Sequence, residues 1–262
     1  FIYTVISSNI LCAQEKLAIE PVRFNTNERE FAPAYYKNGI VFCGIGDKNE
    51  ALTYLDYSTG AKMTDLFFIG DEKQNERELF STNFQTSYHD GPITFSKDGK
   101  TAYFTRSLSI EKKLKNNKKE KNRLGVFKAT FDGEKWTNIQ PCKFNSEEYN
   151  VGQPSLSEDG KRLYVVSDKP GGFGQKDIYY AELVNDEFGD LVNMGEEINS
   201  SSNEMFPFIY SNNQLYFSSD KDGGNGGLDI YSSIFKNNIW NTSWLTDTLL
   251  NTSFDDFAII FN

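Results

Sequence analysis

The chain contains few of the residues that most often carry catalysis or bind metal ions. It has one histidine, His89, and three cysteines among 262 residues. One imidazole without a neighbouring nucleophile motif makes no general acid–base pair, and a zinc site needs clustered Cys and His ligands. We therefore predict no catalytic, metal or cofactor-binding residue, and a structural role for His89. Three cysteines give no disulfide framework, so Cys43 and Cys142 are expected to be buried thiols.

Positive charge and long apolar runs are also scarce. The chain has 27 Lys and Arg residues against 37 Asp and Glu residues, which gives a net charge of −10. This acidic balance argues against a general nucleic-acid binder. After residue 13, no apolar stretch is long enough to span a membrane as a helix. The lysine-rich run from Glu111 to Arg123 either binds an anionic partner or forms a solvated loop, and we favour the loop.

Aromatic residues are abundant and recur at a fixed interval. They make up 15% of the chain, which also contains 20 glycines, a composition typical of short β-strands joined by many turns. Two sets of aromatic residues repeat with the same 52-residue step: Phe127, Tyr179 and Tyr231, and Trp136, Phe188 and Trp240. A period in this range indicates a repeat architecture.

Each repeat carries the pattern of four short antiparallel strands. Turn-forming pairs separate two apolar runs at Asn38-Gly39, Asp98-Gly99, Asp159-Gly160 and Asn212-Asn213. Second-strand positions 42, 104, 165 and 217 are 62, 61 and 52 residues apart, and the run 111–123 is an insertion in the second repeat. We predict an all-β fold, a β-propeller of four-stranded antiparallel blades over residues 28–262. A β-helix has much shorter repeats, and a sandwich would not keep this period.

The first residues resemble a signal peptide, and the last residues resemble the beginning of a further repeat. Residues 1–13 resemble the apolar core of a signal peptide with cleavage after Ala13, followed by a lead-in segment over residues 14–27. The alternatives are a lipoprotein attached through Cys12 and a disordered or strand-forming N-terminus of a cytoplasmic protein. Asp255–Ile260 matches Glu204–Ile209, which predicts about four complete blades plus the first strand of a fifth, truncated blade. We expect such a chain to be less stable than one with the whole blade.

Two loop motifs have both a functional and a structural interpretation. Oxygen ligands alternate with glycines from Asp220 to Asp229, as in a calcium loop. The matching loop from Asp168 to Asp177 has fewer carboxylates, so we favour a local turn in which Asp229 binds backbone amides. The segment Ser96–Thr101 is similar to the Asp-box of sialidase propellers, but its Asp and Gly are adjacent, and turn chemistry accounts for it.

Several segments together resemble a known family: Pro154–Tyr164, Asn203–Ile209, Leu215–Asp220 and Gly226–Tyr231. Pro154–Tyr164 resembles the TolB-like, WD-like propeller repeat of bacterial envelope proteins. More narrowly, the other three segments resemble the propeller of OmpA-family proteins from Bacteroidetes-type bacteria, including PorE-like members associated with type IX secretion. The resemblance covers residues 20 to 262. It implies a periplasmic, outer-membrane-associated protein in which a separate downstream domain, not these residues, binds peptidoglycan.

The sequence therefore predicts a non-enzymatic interaction scaffold for envelope proteins, without nucleic-acid binding. The candidate surface consists of the inter-blade loops Asn145–Tyr149, Asn199–Glu204 and Asn251–Asp256, because binding residues commonly sit on loops held by a rigid scaffold. The alternative is a propeller-fold glycan hydrolase or lyase with two carboxylates at the central channel. An OmpA-like domain after Asn262 would favour the scaffold, and a carboxylate pair at the channel would favour the enzyme.

Overall fold

The protein folds into β-strands arranged as four consecutive antiparallel blades. A computed structural model describes residues 3–8, 16–22, 25–46, 62–70, 76–86, 88–108 and 123–261. Within these ranges twenty strands form five sheets, and they contain no helix long and apolar enough to cross a membrane. The lysine-rich run up to residue 122 and the predicted cleavage site at Ala13 lie outside the described residues.

The four blades follow one another along the chain. The first contains β3 (Glu30–Tyr36), β4 (Gly39–Gly44), β5 (Asp65–Ile69) and β6 (Glu78–Leu79). The second contains β7 (Asp90–Phe95), β8 (Thr101–Ser107), β9 (Leu124–Phe131) and β10 (Trp136–Pro141). The third contains β11 (Val151–Leu156), β12 (Arg162–Ser167), β13 (Asp177–Val184), β14 (Glu187–Phe188) and β15 (Val192–Asn193). The fourth contains β16 (Glu204–Tyr210), β17 (Gln214–Ser219), β18 (Asp229–Lys236), β19 (Ile239–Trp240) and β20 (Trp244–Leu245). The predicted propeller of four-stranded blades is confirmed, with the fourth strand of blades three and four split in two.

A separate hairpin precedes the blades. Its strands β1 (Tyr3–Ser8) and β2 (Lys16–Pro21) pair antiparallel from Tyr3 opposite Pro21 to Ser8 opposite Lys16. Val22, directly after β2, packs against Ile40, Phe42, Phe67 and Ile69 on the first blade. The proposed signal-peptide segment thus contains a paired strand, and its cleavage stays a prediction.

In the second, third and fourth blades both residues of the predicted turn pair lie in the loop between the first two strands. In the second blade, Gly99 has a φ of 66° and its N–H donates to Ser96 O at 2.8 Å. The first turn lies one residue earlier than predicted, with Lys37 and Asn38 at its centre and Lys37 at a φ of 53°. Gly39 serves close packing instead, since a Cβ there would lie 2.1 Å from Ile69 O.

The aromatic residues with the 52-residue step occupy equivalent positions, as predicted. Trp136, Phe188 and Trp240 each stand in a fourth strand, opposite Phe131, Leu183 and Phe235 of the third strand. Successive side chains of a strand point to opposite faces, so each blade presents apolar residues to both neighbours. Phe188 packs edge-on against Tyr103 of the second blade, and Trp240 packs edge-on against Tyr164 of the third. Separate apolar cores therefore fill the spaces between successive blades.

Candidate functional site: the central channel and the seams between blades

The first strand of each blade faces a central channel. Strands β3, β7, β11 and β16, together with residues 258–261, line a cavity of about 240 Å³. Phe257 stacks on Phe206 with ring centroids 4.9 Å apart, and it lies 6.4 Å from Phe31 of the first blade. The segment predicted to begin a fifth blade therefore runs between the fourth and first blades, in the place of an inner strand.

A backbone irregularity recurs in these inner segments. Four of the five inner segments carry a non-glycine residue with a positive φ between 51° and 62°: Ala32, Gln153, Phe206 and Ala258. In the remaining segment, in the second blade, Gly91 has a φ of 91°. In the four blades, the strand register shifts at this point. The sequence analysis missed this bulge, although Pro33, Pro92, Pro154 and Pro207 mark it, because proline cannot donate to a ladder and is confined to edges and bulges. Ala258 is thus the counterpart of Phe206, one residue later than the predicted alignment.

The channel lining is mostly alanine, proline, isoleucine and phenylalanine. The side chains of Thr94, Gln153 and Ser155 also line it. Each accepts a hydrogen bond from the backbone of the next blade: from Leu156 N at 3.2 Å, from Phe206 N at 2.8 Å and from Ile209 N at 3.1 Å. Among the described residues that line the channel there is no carboxylate, imidazole, amine or guanidinium group. Their polar groups join adjacent blades.

Carboxylates stand at the beginning of the inner segments, where they fix the preceding loop. Each accepts hydrogen bonds from both the backbone N–H and the hydroxyl of a Ser or Thr four residues earlier: Glu30 from Thr26, Asp90 from Thr86, Glu204 from Ser200 and Asp256 from Thr252. The third blade has Val151 at this position, and the Asn150 amide donates to Asp168 at 2.6 Å, as the Asn203 amide donates to Asp220. This motif explains Glu204 and Asp256, which follow the pairs Asn199-Ser200 and Asn251-Thr252.

Burial governs the ionisation of two of these acids. Burial raises the pKa of Asp90, while the Arg106 guanidinium, whose Nε donates to Oδ1 at 2.8 Å, acts in the opposite direction. Burial also raises the pKa of Glu204, and hydrogen bonds from Ser200 and Ser219 oppose that shift. Both carboxylates are fully enclosed and hydrogen-bonded, as buried charges must be. They are therefore structural groups.

In three blades a cation near the buried acid lies over an aromatic ring. Arg77 pairs with Glu30 at 2.8 Å and lies over Phe67 at 4.6 Å. Arg106 lies over Phe104 at 4.7 Å, and Lys221 lies over Tyr231 at 3.9 Å. Burial lowers the pKa of Lys221, while the charge of Glu204 opposes this shift. Stacking of a partly desolvated cation on a ring is favourable, so these cations stabilise the blades.

The asparagines of the predicted loop surface are tied to the neighbouring blade. Asn145 binds the backbone N–H and C=O of Val126, Asn199 those of Ile178, and Asn251 those of Ile230. Asn199 and Asn251 are only 3% and 2% exposed. These asparagines thus lie in the interior, and only the middle of each loop remains on the surface.

The glycine-rich loop forms a turn around Asp229, in agreement with the favoured interpretation. Asp229 Oδ2 accepts hydrogen bonds from Asn225 N at 2.9 Å and Gly226 N at 3.0 Å. Asp220 binds elsewhere, accepting from the backbone N–H and the amide of Asn203. Across the part of the chain that the structure describes, no three His, Cys, Asp or Glu side chains are grouped so that they could hold a metal ion.

His89 and the two described cysteines take part in packing. Thr64 N donates to His89 Nδ1 at 3.2 Å. Cys43 lies fully buried in β4, and burial raises the pKa of its thiol. Cys142 is partly buried, and burial raises the pKa of its thiol to about 12. Both thiols are therefore protonated and unreactive at neutral pH.

An aromatic side chain projects from the tip of the last inter-blade loop. Phe254 is 77% exposed, although its backbone is fixed. Its N–H donates to Thr252 Oγ1 at 3.1 Å, and a Cβ on Gly226 would lie 2.1 Å from its carbonyl oxygen. Phe173, 50% exposed, stands in the third blade's loop, where Gly174 similarly approaches Ser202 O. Aromatic residues are enriched at protein-binding positions, although single exposed apolar side chains also occur on ordinary protein surfaces.

Comparison with known proteins supports the fold. No family model and no curated protein match this chain. The chain is similar to TolB from Acinetobacter baumannii at 15% identity and a TM-score of 0.51, over 87% of this chain and 45% of TolB. Puromycin hydrolase, as its S511A mutant, matches at 7% identity and a TM-score of 0.48, over 84% of this chain and 40% of the hydrolase. The β-propeller domain of the Trilobed protease from Pyrococcus furiosus matches at 12% identity and a TM-score of 0.39, over 84% and 57%.

The match to TolB agrees with the arrangement of the blades. The protein is a β-propeller with a TolB-like fold. The chain spans less than half the length of TolB, so only the fold is carried over from that likeness.

Proposed function

We propose that this chain is a non-enzymatic protein-interaction scaffold of the bacterial envelope. Phe254 carries this proposal, because aromatic residues are enriched at binding hot spots and this exposed ring has no part in the core. The buried acids support it, since they are engaged in holding the blades together. Binding by fixed loops also loses less conformational entropy than binding by mobile ones.

The cellular setting is part of the proposal. The TolB-like fold and the sequence resemblance to OmpA-family propellers support a periplasmic protein associated with the outer membrane. The proposal includes a role in type IX secretion or in anchoring the cell envelope, because the segments Asn203–Ile209, Leu215–Asp220 and Gly226–Tyr231 resemble PorE-like members of the OmpA family. Peptidoglycan binding then belongs to another domain of the full-length protein.

A glycan hydrolase is the competing proposal from another class. It needs two carboxylates placed about a glycosidic bond, roughly 5–9.5 Å apart. The described residues lining the channel supply no carboxylate, and three of the acids at the strand starts, Glu30, Asp90 and Glu204, are buried. The scaffold is therefore favoured.

Crosslinking in the native host tests the scaffold. The full-length protein and its Phe254→Ser variant are expressed, crosslinked in intact cells and recovered from the envelope, and copurifying proteins are identified. We expect a specific partner that is lost with Phe254→Ser and kept with Ile239→Ser, a matched control at another apolar residue, 63% exposed. Recovery only from the cytosol, or glycan turnover that ends on substitution of a carboxylate, would overturn the proposal.

A further inference from the structure

One carboxylate oxygen in the fourth blade is buried without a hydrogen-bond donor. Asp229 is only 1% exposed, and its Oδ2 accepts the hydrogen bonds from Asn225 N and Gly226 N. Its Oδ1 is buried too, and it has no partner among the described residues. Because an unpaired carboxylate oxygen in the interior is costly, such an atom indicates a bound water molecule or ion.

The third blade shows which donor Asp229 lacks. Asp177, the counterpart of Asp229 in that blade, accepts hydrogen bonds from two loop amides and a third from the Asn193 side chain at 3.2 Å. Leu245 stands at the place of Asn193 in the last strand of the fourth blade, and its side chain cannot donate. All three donors to Asp177 belong to the third blade itself. The missing donor to Asp229 therefore results from a difference in sequence within the blade.

A second buried acid lies in the same row of the fourth blade. Glu204, Ser219 and Asp229 are directly opposite one another on β16, β17 and β18, so their side chains share one face. Glu204 is fully buried, and its Oε1 accepts from Ser219 Oγ at 2.9 Å. Lys221 Nζ donates to Ser243 Oγ at 2.8 Å, and neither acid forms an ion pair with any residue that the structure describes. Two buried carboxylates thus flank Ser219 without a cation between them.

The first blade shows what such a pair of acids takes up. Glu30 and Asp65, both buried, flank Gly44 in the equivalent row. Arg77 Nη1 lies 2.8 Å from Glu30 Oε1, and a Cβ on Gly44 would lie 3.3 Å from the same nitrogen. The guanidinium group therefore covers the middle of the row. In the fourth blade the middle position holds a serine, so a positive charge there has to come from outside the chain.

We propose that the fourth blade binds one calcium ion against Asp229 Oδ1, beneath the exposed loop 222–227. The loop lies directly over this carboxylate, since a Cβ on Gly224 would lie 2.0 Å from Asp229 Oδ2. Calcium accepts carboxylate, hydroxyl, backbone carbonyl and water oxygens, so Asp229, Ser219 and the loop backbone are a suitable set without a third acid. Glu204 adds its negative charge on the next strand but one. Oδ2 keeps both loop amides, so the turn and the ion are compatible, and the site does not depend on the scaffold function.

Thermal unfolding and titration calorimetry of the purified chain test the calcium site. The chain is freed of metal with EDTA and measured in EDTA, in calcium chloride and in magnesium chloride at equal ionic strength. We expect one calcium ion per chain. The melting temperature should rise by about 5–10 °C at a calcium concentration roughly 100-fold above Kd, and magnesium should have little effect.

Two variants and one control locate the ion. Asp229→Asn keeps an oxygen for the loop amides but loses the charge, and it should bind calcium at least about tenfold more weakly. Leu245→Asn supplies the donor found in the third blade, so its melting temperature should no longer respond to calcium. Asp177→Asn removes the equivalent charge from the third blade and should leave calcium binding unchanged.

Three results would overturn the site. These are equal melting in EDTA and calcium, calcium binding that survives Asp229→Asn, and equal stabilisation by magnesium. The first would leave a buried water molecule as the partner of Oδ1. Because the measurement needs only the chain and the metal, its failure does not affect the scaffold function, which stands or falls with Phe254-dependent copurification.

Discussion

Asn199 is joined to Ile178 by two hydrogen bonds that reproduce the pairing of a β-strand. Ile178 N donates to Asn199 Oδ1 at 2.8 Å, and Asn199 Nδ2 donates to Ile178 O at 2.9 Å. The side-chain amide satisfies both backbone groups of a residue that is fully buried. The same contact ties Asn145 to Val126 and Asn251 to Ile230, so one amide secures each of three seams.

Asn199→Ala should lower the free energy of unfolding by about 1–3 kcal/mol, because it leaves the buried N–H of Ile178 without a partner, while the C=O keeps only its bond from Met194 N at 3.1 Å. Urea unfolding followed by tryptophan fluorescence measures the change. Ser201→Ala, at an exposed position two residues away, should alter stability by less than ~0.5 kcal/mol. Equal effects of the two substitutions would contradict the role of the amide.

Trp136→Leu should destabilise the protein more than Trp240→Leu, although both residues hold the same place in their blades. Trp136 is 3% exposed and lies within 6 Å of the Tyr36, Phe84, Phe95 and Phe131 rings. Trp240 is only partly buried. We expect the free energy of unfolding to fall by roughly 2–4 kcal/mol for Trp136→Leu and by less than about 2 kcal/mol for Trp240→Leu, because the cost of a cavity grows with burial. Denaturant midpoints measure both, and a reversed order would show that burial does not set the difference.

Glu204→Gln should change how stability depends on pH. Burial raises the pKa of Glu204 from its ordinary 4.5, so the folded chain holds this proton more tightly than the unfolded chain. Its contribution therefore falls as pH rises from about 4.5 through the raised pKa. Melting temperatures from pH 4 to 7.5 should show the variant gaining on the parent as pH rises. The melting temperatures of Glu196→Gln, at an exposed position, should follow the pH dependence of the parent. The same pH dependence for Glu204→Gln and the parent would refute the raised pKa of Glu204.

Val22→Asp should lower the free energy of unfolding by about 1–3 kcal/mol, because it places a carboxylate against apolar residues of the first blade. Asn27→Asp adds the same charge at a nearby exposed position and should be neutral. Thermal unfolding of the chain beginning at Phe1 distinguishes the two. If both variants melt with the parent, residues before the first blade make no contribution to its stability.

Local patterns in the sequence predicted most of the fold. The 52-residue step is visible by comparing positions along the sequence, and the Asp98-Gly99 and Asp159-Gly160 turns depend on adjacent residues. Both could therefore be identified without the structure. The first turn was placed one residue late because Gly39 is required for close packing against the backbone of Ile69, thirty residues away, and not for the turn. The alignment of Phe257 with Phe206 was one residue off for a similar reason, since the bulge that fixes it involves a partner strand.

The candidate site was harder to predict. The Asn-Ser and Asn-Thr pairs were visible as a repeat, but the same residue types favour both exposed turns and buried contacts to backbone. Whether Asn199 faces solvent depends on Ile178, and the sequence does not say that the two meet.

The short tips between the fixed ends of the inter-blade loops are held by backbone groups: Glu148 N, Ser202 N and Phe254 N each donate to the hydroxyl two residues earlier. The side chains there differ widely, with Glu147-Glu148, Ser201-Ser202 and Ser253-Phe254 at corresponding places. Acidic, hydroxyl and aromatic groups are thus interchangeable at these tips without disturbing the seam. Binding preference can diverge one blade at a time, while the architecture that presents it stays constant.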